Sequence, residues 1–396
     1  MVNPSSESQQ ESELYPLNKG YINNTGQLIL ELPQHVCCPR PFSEGLAAVR
    51  FIPSESTPDE EPYLGYIDRT GKFVIPPKFI DTGNLEGEEN FSEGLAVASP
   101  PGAIDNDDDY LYGYIDKSGE IVIPPKFNGA HPFSDGLAVV EMFNGNFTSF
   151  AFINRKGEIV FEHSQAYDAL NASEGLAAIQ IDSHWGFIDG TGKFVIEPQF
   201  SSAGRFSNGL APVRDTVANK YGYIDRIGKF VIPPQFAEAQ PFSEGLAAVK
   251  VNQNEQDVSG QWGYIDTTGL FIIPPQFQDT FPSPSSFSEG LAAVAVPNSQ
   301  FRGNGKIGYI DRMGKYVIPP QFNGYAGQFI NGLASVEIMF EKDIQQPISN
   351  PPPNSSPEAL MEFFLSQQAP SEFPYDGGKY AYINQEGHVV WEEIYD

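Results

Sequence analysis

Nine times along the chain a glycine or alanine, an aromatic residue, an isoleucine and an Asp or Asn run into a tight turn that closes on glycine. Gly65-Tyr66-Ile67-Asp68-Arg69-Thr70-Gly71 is the clearest copy. The turn glycines, Gly26, Gly71, Gly119, Gly157, Gly192, Gly228, Gly269, Gly314 and Gly387, lie 45, 48, 38, 35, 36, 41, 45 and 73 residues apart. Intervals of this length are those of a repeat architecture. A chain built from copies of one small unit has many equivalent surfaces, so the pattern constrains folding far more than chemistry.

Two further motifs interleave with the first. Phe42-Ser43-Glu44-Gly45-Leu46-Ala47 returns from Phe91, Phe133, Ala172, Phe206, Phe242, Phe287 and Phe329, eight copies in all. The apolar run Phe73-Val74-Ile75-Pro76-Pro77 is echoed by Ile-Pro-Pro from Ile123, Ile232, Ile273 and Ile318, with Ile196-Glu197-Pro198 as a variant. Local rules give each motif a conformation. Asp68 opens a turn by accepting a backbone hydrogen bond, and Gly71 closes it in the left-handed region, as in a type I turn with a bulge. The flanking aromatic and β-branched residues favour strands. The paired prolines are expected to end the second strand, because neither can donate to a ladder. Ser43-Glu44-Gly45 is a second turn that opens a third strand, Leu46-Ala47-Ala48-Val49, whose small side chains admit a close neighbour. Each unit is thus expected to be an antiparallel sheet of three strands, or four.

A sheet of this size cannot bury a core alone, so the units must stack. Two arrangements satisfy this: a β-propeller-like ring, and an open β-solenoid or arc. The order of phenylalanine, acidic turn, strand and hairpin resembles the path of a propeller blade and favours the ring, whereas a complete hairpin at each end favours the open form. The expectation is an all-β tandem array of small antiparallel sheets, read as a single domain over residues 19–396 after a polar segment at 1–18.

Taken together, the three motifs resemble the bacterial WG repeat, a unit built around a glycine, aromatic, isoleucine and aspartate segment, a Gly-Lys turn and a phenylalanine, serine, acid, glycine, leucine and alanine segment. The resemblance runs from about Lys19 to the C-terminus. The namesake Trp stands only at Trp185 and Trp262, with Tyr112, Tyr221, Leu64 and Ile307 in its place elsewhere. No role tied to that Trp therefore carries over. The resemblance implies a repeat fold and leaves activity undefined.

Charge narrows the function classes. With 51 acidic against 23 basic residues the formal net charge is −28, a field that repels phosphate backbones, so nucleic acid is not expected as a partner. Residues 1–17 have neither a basic start nor an apolar stretch, and no run reaches the ~18 apolar residues of a membrane helix. No membrane partner and a cytoplasmic location are expected. The two cysteines, Cys37 and Cys38, are adjacent. They are read as buried small hydrophobes rather than as a redox or metal pair.

The repeated Asp68, Asp116, Asp189, Asp225, Asp266 and Asp311 could suggest general acids or metal ligands, but Asn23, Asn154 and Asn384 fill the same place. Asn makes the turn hydrogen bond and exchanges no proton at neutral pH, so the position needs a turn former. The acids at Glu44, Glu93, Asp135, Glu174, Glu244 and Glu289 follow suit, since Asn208 and Asn331 replace them. The run Asp105 to Asp109 lacks the glycine and terminal Glu of a calcium loop. The repeated aromatics, Tyr66, Tyr114, Phe187, Tyr223, Tyr264 and Tyr309, are read as core rather than as stacking platforms for sugars. No catalytic, metal or cofactor residues are assigned, and the chain is read as non-enzymatic.

The long last interval comes from an insertion at 341–378, rich in Pro, Ser and Gln. Within it Ser356-Pro357-Glu358 is a helix start, followed by Leu360, Met361, Phe363, Phe364 and Leu365, which are the candidate protein-interaction residues. The functional expectation is a scaffold that binds other proteins through variable loops and this insertion. The alternative is a module binding a carbohydrate or small ligand between repeats. Oligomeric state is open.

Overall fold

The structure, a computed structural model, describes residues 13–52, 62–83, 89–105, 109–143, 147–252, 260–278, 283–296, 305–341 and 375–395. The described residues are all-β and form nine consecutive antiparallel sheets, each a meander whose strands pair in chain order, the topology of a propeller blade. The first sheet comprises Tyr15–Leu17, Gly20–Ile22 and Leu28–Glu31. The second comprises Val36–Cys37, Ala47–Phe51, Tyr63–Ile67 and Phe73–Ile80. The third and fourth begin their long strands at Leu95 and Leu137, the fifth, sixth and seventh at Leu176, Ala211 and Leu246, and the eighth and ninth at Ala292 and Leu333. Five of the nine carry a short extra strand ahead of the three main ones. Among the described residues no helix is long and apolar enough to cross a membrane.

The chain divides into two compact units, 1–276 and 277–396. The first sheet starts before the expected boundary: Tyr15–Leu17 pairs with Gly20–Ile22, and Leu14 and Tyr15 are buried. The apolar Leu14 and Tyr15 find a face to cover, which the composition of the preceding residues conceals.

The core consists of slices between neighbouring sheets. In the first unit Leu46, Ala48, Tyr66 and Ile75 of the second sheet meet Phe91, Ala96, Ala98 and Ile115 of the third. Leu95, Val97, Tyr114 and Ile123 of the third sheet meet Phe133, Ala138, Val140 and Ile153 of the fourth. Alternate residues of one strand thus face opposite neighbours, which is why the leucine-alanine strands are apolar throughout rather than alternating. In the second unit a single cluster joins the eighth and ninth sheets, from Leu291 and Tyr309 to Phe329 and Ile383. Several interfaces repeat one aromatic pair, whereas between the fourth and fifth sheets Phe152 meets Ala172. Tyr66 meets Phe91 edge-on at 5.0 Å between ring centroids, Phe187 meets Phe206 at 5.0 Å, and Tyr309 meets Phe329 at 5.0 Å. Burying each such ring stabilises the stack by roughly 2–3 kcal/mol.

The prolines do not end the strands, contrary to the sequence expectation. Phe73–Ile80 runs straight through Pro76 and Pro77 as the edge strand of its sheet. Its register pairs Tyr66 with Ile75 and Leu64 with Phe79, so Pro76, Pro77 and Lys78 bulge opposite the single residue Gly65. An edge strand tolerates proline because the missing N–H faces away from the ladder. The bulge brings backbone onto Gly65, where a Cβ would stand 2.9 Å from the Pro77 nitrogen. The same shift recurs opposite Gly186, Gly222 and Gly308.

Candidate functional site

The repeated polar residues are joints of the fold. Asp68 Oδ1 accepts hydrogen bonds from the backbone of Thr70 at 2.8 Å and of Lys72 at 3.2 Å, and Asn154 Oδ1 does the same for Lys156 and Glu158. The hydroxyls of Thr70, Ser118, Thr191 and Thr268, with the turn N–H groups, hold the carboxyls of Asp68, Asp116, Asp189 and Asp266 below the ordinary aspartate range. As expected, the position serves a turn.

The second motif does more than turn. Glu44, Glu93, Asp135, Glu174, Asn208, Glu244, Glu289 and Asn331 all have positive φ, near 50°. That conformation is costly for such residues, and it swings the side chain onto the next sheet. Glu44 accepts from the Gly94 N–H at 3.1 Å, Glu93 from Gly136 at 3.1 Å, Asp135 from Gly175 at 2.8 Å and Asn208 from Gly245 at 2.9 Å. The preceding serine completes a clasp: Ser43 Oγ donates to the Phe91 carbonyl at 2.6 Å and Ser92 Oγ to the Phe133 carbonyl at 2.7 Å. In the second unit Ser288 and Glu289 hold Phe329 and Gly332 in the same way. The sequence carried a signal for this in the recurrence of an acceptor, acid or amide, at a position where glycine would fit the backbone better. Burial alone would raise the Glu44 carboxyl, but hydrogen bonds from Lys117 and Gly94 hold it below the usual range.

The hairpin aromatics are core. Tyr66, Tyr114, Phe187, Tyr223, Tyr264 and Tyr309 are at most 1% exposed. The Tyr66, Tyr114, Tyr223 and Tyr309 hydroxyls donate to the carbonyls of Glu89, His131, Gln240 and Gly327 at 2.7–2.8 Å. These rings offer no face to a sugar. Trp185, Trp262, Tyr112, Leu64 and Ile307 are buried as well, which makes the namesake position a packing site.

The candidate interaction residues Leu360, Met361, Phe363, Phe364 and Leu365 lie outside the described residues. The strands beside them are defined: Glu341 pairs with Tyr375 and Met339 with Gly378. The 341–378 boundaries therefore overlap a ladder, and the insertion is the 342–374 connection between two paired strands.

That connection has an equivalent in every other sheet from the second to the eighth. It spans 52–62, 99–111, 144–147, 182–183, 215–220, 252–260 and 297–305. All of these join the same pair of strands and so leave the same end of their sheets, while their lengths run from two residues upward. Apolar side chains are exposed at several connections and their rims: Ile52, Ile104, Phe143 and Phe147 are 40–48% exposed and Val217 is 92% exposed in the first unit, and Val296 is 38% exposed in the second, while the edge strands also expose Val74, Val122, Val195, Val231 and Ile272 at 41–46%. Acidic residues, including Glu55, Asp59, Glu60, Glu61, Asp105 and Asp109, are interspersed with them in sequence. The sequence reading located the loops and their charge and missed the exposed apolar residues, because exposure depends on what lies opposite each loop.

A second feature lies within the second unit. A cavity of about 280 Å³ is lined by Ser283, Ser285, Ser286, Tyr325 and Gln328 over a floor that includes Ala293, Ala295 and Ile307. Among the described residues no charged side chain lines it. Cys37 and Cys38 depart from expectation: Cys37 is half-buried and Cys38, where the chain leaves its strand, is exposed.

The model of the WG containing repeat matches the chain seven times, at residues 65–99, 112–147, 150–183, 185–215, 221–254, 262–296 and 307–338, more than half of its length. No curated protein matches the chain. Among solved structures it is similar to one described as the eukaryotic initiation factor, at 14% identity and a TM-score of 0.52, over 79% of this chain and 88% of that one. This likeness shows the fold alone. Weaker likenesses reach the β-propeller domain of the Trilobed protease from Pyrococcus furiosus, at 12% identity and a TM-score of 0.37 over 72% and 98% of the two chains. Puromycin hydrolase follows at 13% and 0.36, over 86% and 58%. At such scores they carry no argument about this protein.

Proposed function

Because the chain belongs to the WG-containing repeat family, its sheets are copies of one supporting unit, and we propose that it serves as a non-enzymatic scaffold binding other proteins through the variable connections. One observation carries this reading: the same connection, variable in length, bears exposed apolar side chains at Ile52, Ile104, Phe147 and Val217 in the second, third, fourth and sixth sheets. Apolar side chains left in water on connections that leave the same end of their sheets are suited to a partner surface. The acidic residues interspersed among them favour a partner that is basic as well as apolar. The proposed setting is the cytoplasm, and the 342–374 connection, with Leu360, Met361, Phe363, Phe364 and Leu365, is the proposed contribution of the ninth sheet.

The test compares wild type with an Ile104→Ser, Phe147→Ser, Val217→Ser variant. A partner recovered with the wild type is rebuilt from purified components and its affinity measured for both. An affinity loss of tenfold or more, with the thermal midpoint unchanged, is the expected result. Equal affinity for both chains would overturn the assignment of the surface.

A second reading rests on the cavity of the second unit. Its hydroxyl and amide rim over an apolar floor suits a small neutral polar ligand, such as a sugar. A Ser286→Phe variant fills that space, and loss of ligand binding there with retained protein binding would separate the two readings.

A further inference from the structure

Successive side chains of a strand point to opposite faces, which keeps adjacent cysteines apart. Cys37 obeys this rule: it ends the short strand Val36–Cys37 and pairs with Arg50. Cys38 breaks it. Its φ is 52°, in the left-handed region that few non-glycine residues occupy, and its N–H donates to the Asn18 carbonyl at 3.0 Å. This one dihedral folds the second side chain back on the first and leaves the two Sγ atoms 3.0 Å apart. One thiol is exposed, the other half-buried, and the chain has no further cysteine.

From this geometry we propose that Cys37 and Cys38 form a vicinal dithiol site that reacts with small disulfides and closes reversibly into an intrachain bond. The exposed Cys38, as thiolate, attacks one sulfur of the incoming disulfide. That S–S bond breaks, a mixed disulfide forms on Cys38, and the first small thiolate leaves and takes up a proton. Cys37 then gives up its proton and attacks Cys38 Sγ, displacing the second small thiol. Two protein thiols are oxidised and one small disulfide is reduced to two thiols.

The order of attack follows from the surroundings. Burial, then the hydrogen bond between the thiols, pushes the Cys37 thiol up to about 12, which suits a resolving group held beside its target rather than a first nucleophile. A disulfide bond is about 2.05 Å long, so closure needs a movement of roughly 1 Å. The site sits where the chain passes from the first sheet to the second, because Cys38 is tied to Asn18 and Cys37 to the second sheet. Closing the ring therefore acts on the link between those sheets.

The test uses the full chain, reduced and then exposed to oxidised glutathione, with intact mass and free thiols as readouts. The expected product is a monomer lighter by two hydrogens, with both thiols lost together and both restored by dithiothreitol. A Cys37→Ser variant is expected to stop at a single glutathione adduct on Cys38, and Cys37→Ala serves as a second check. Wild type that keeps its thiols, accumulates glutathione adducts, or forms a disulfide-linked dimer would overturn the proposal.

Discussion

Gly119, in the hairpin turn of the third sheet, rests on Ile75, in the edge strand of the second: a Cβ at Gly119 would stand 2.8 Å from Ile75 Cγ2. Gly157 meets Ile123 and Gly269 meets Ile232 in the same way, at 2.8 and 3.1 Å. Each of these glycines also has φ near 80°. The residue that ends the turn is thus fixed twice, once by its own dihedral and once by the neighbouring sheet.

Two glycine substitutions separate these demands. Gly119→Ala, which meets both, is expected to cost about 2–3 kcal/mol. Gly45→Ala has φ +88° with nothing within 4 Å of the added carbon. It should cost only about 1 kcal/mol. Urea denaturation of both variants checks the difference, and equal losses would mean that contact with Ile75 is immaterial.

Glu89 is 1% exposed, and Arg40 Nε donates to it at 2.5 Å. Arg40→Ala leaves a buried carboxylate short of its cation and is expected to cost about 2–3 kcal/mol. Adding Glu89→Gln removes the buried charge that Arg40 had countered. The double variant should therefore be more stable than Arg40→Ala alone, as read from thermal midpoints.

Acid is expected to loosen the hairpin turns. The carboxyls of Asp68, Asp116, Asp189 and Asp266 are depressed, chiefly by hydroxyl donors, so they release protons more readily folded than unfolded. Their contribution is complete above the unfolded value of about 3.9 and is lost as pH falls through the lower folded values. Replacing all four with Asn, the residue already present at Asn154, keeps the turn acceptor and removes the titration. The fourfold variant should show a shallower fall of thermal midpoint between about pH 5 and pH 2.

Alkali acts through the buried phenols. Burial raises Tyr66, Tyr223 and Tyr264 well above the ordinary tyrosine range. The folded chain then retains protons that the unfolded chain releases, so stability is full below about pH 10 and falls as pH rises above it. Ultraviolet titration should show these three phenols ionising only as the chain unfolds. Their reversible ionisation in the folded state would contradict the burial. Tyr66→Phe, which removes the hydroxyl that donates to the Glu89 carbonyl, should cost about 1 kcal/mol.

Much of this molecule was legible along the chain. Asp68 and Gly71 specify a turn through their own backbone and the next few residues, and Tyr66 and Ile67 specify a strand, so the hairpins and the need to stack follow from local chemistry and the repeat period. What the tertiary structure decided depends on distances between sheets. Pro76 and Pro77 could stop a strand or bulge it, and the choice falls to the space that Gly65 leaves opposite. Glu44 and Ser43 read locally as a turn and become a clasp only where Gly94 and Phe91 of the next sheet arrive within hydrogen-bond reach. Cys37 and Cys38 meet because one dihedral folds back under a bond to Asn18, and Ile104 and Val217 stay in water because, among the described residues, no neighbouring element covers them. A sequence encodes the torsional preferences of each residue directly, whereas contacts between residues some forty positions apart exist only once the stack has closed on them.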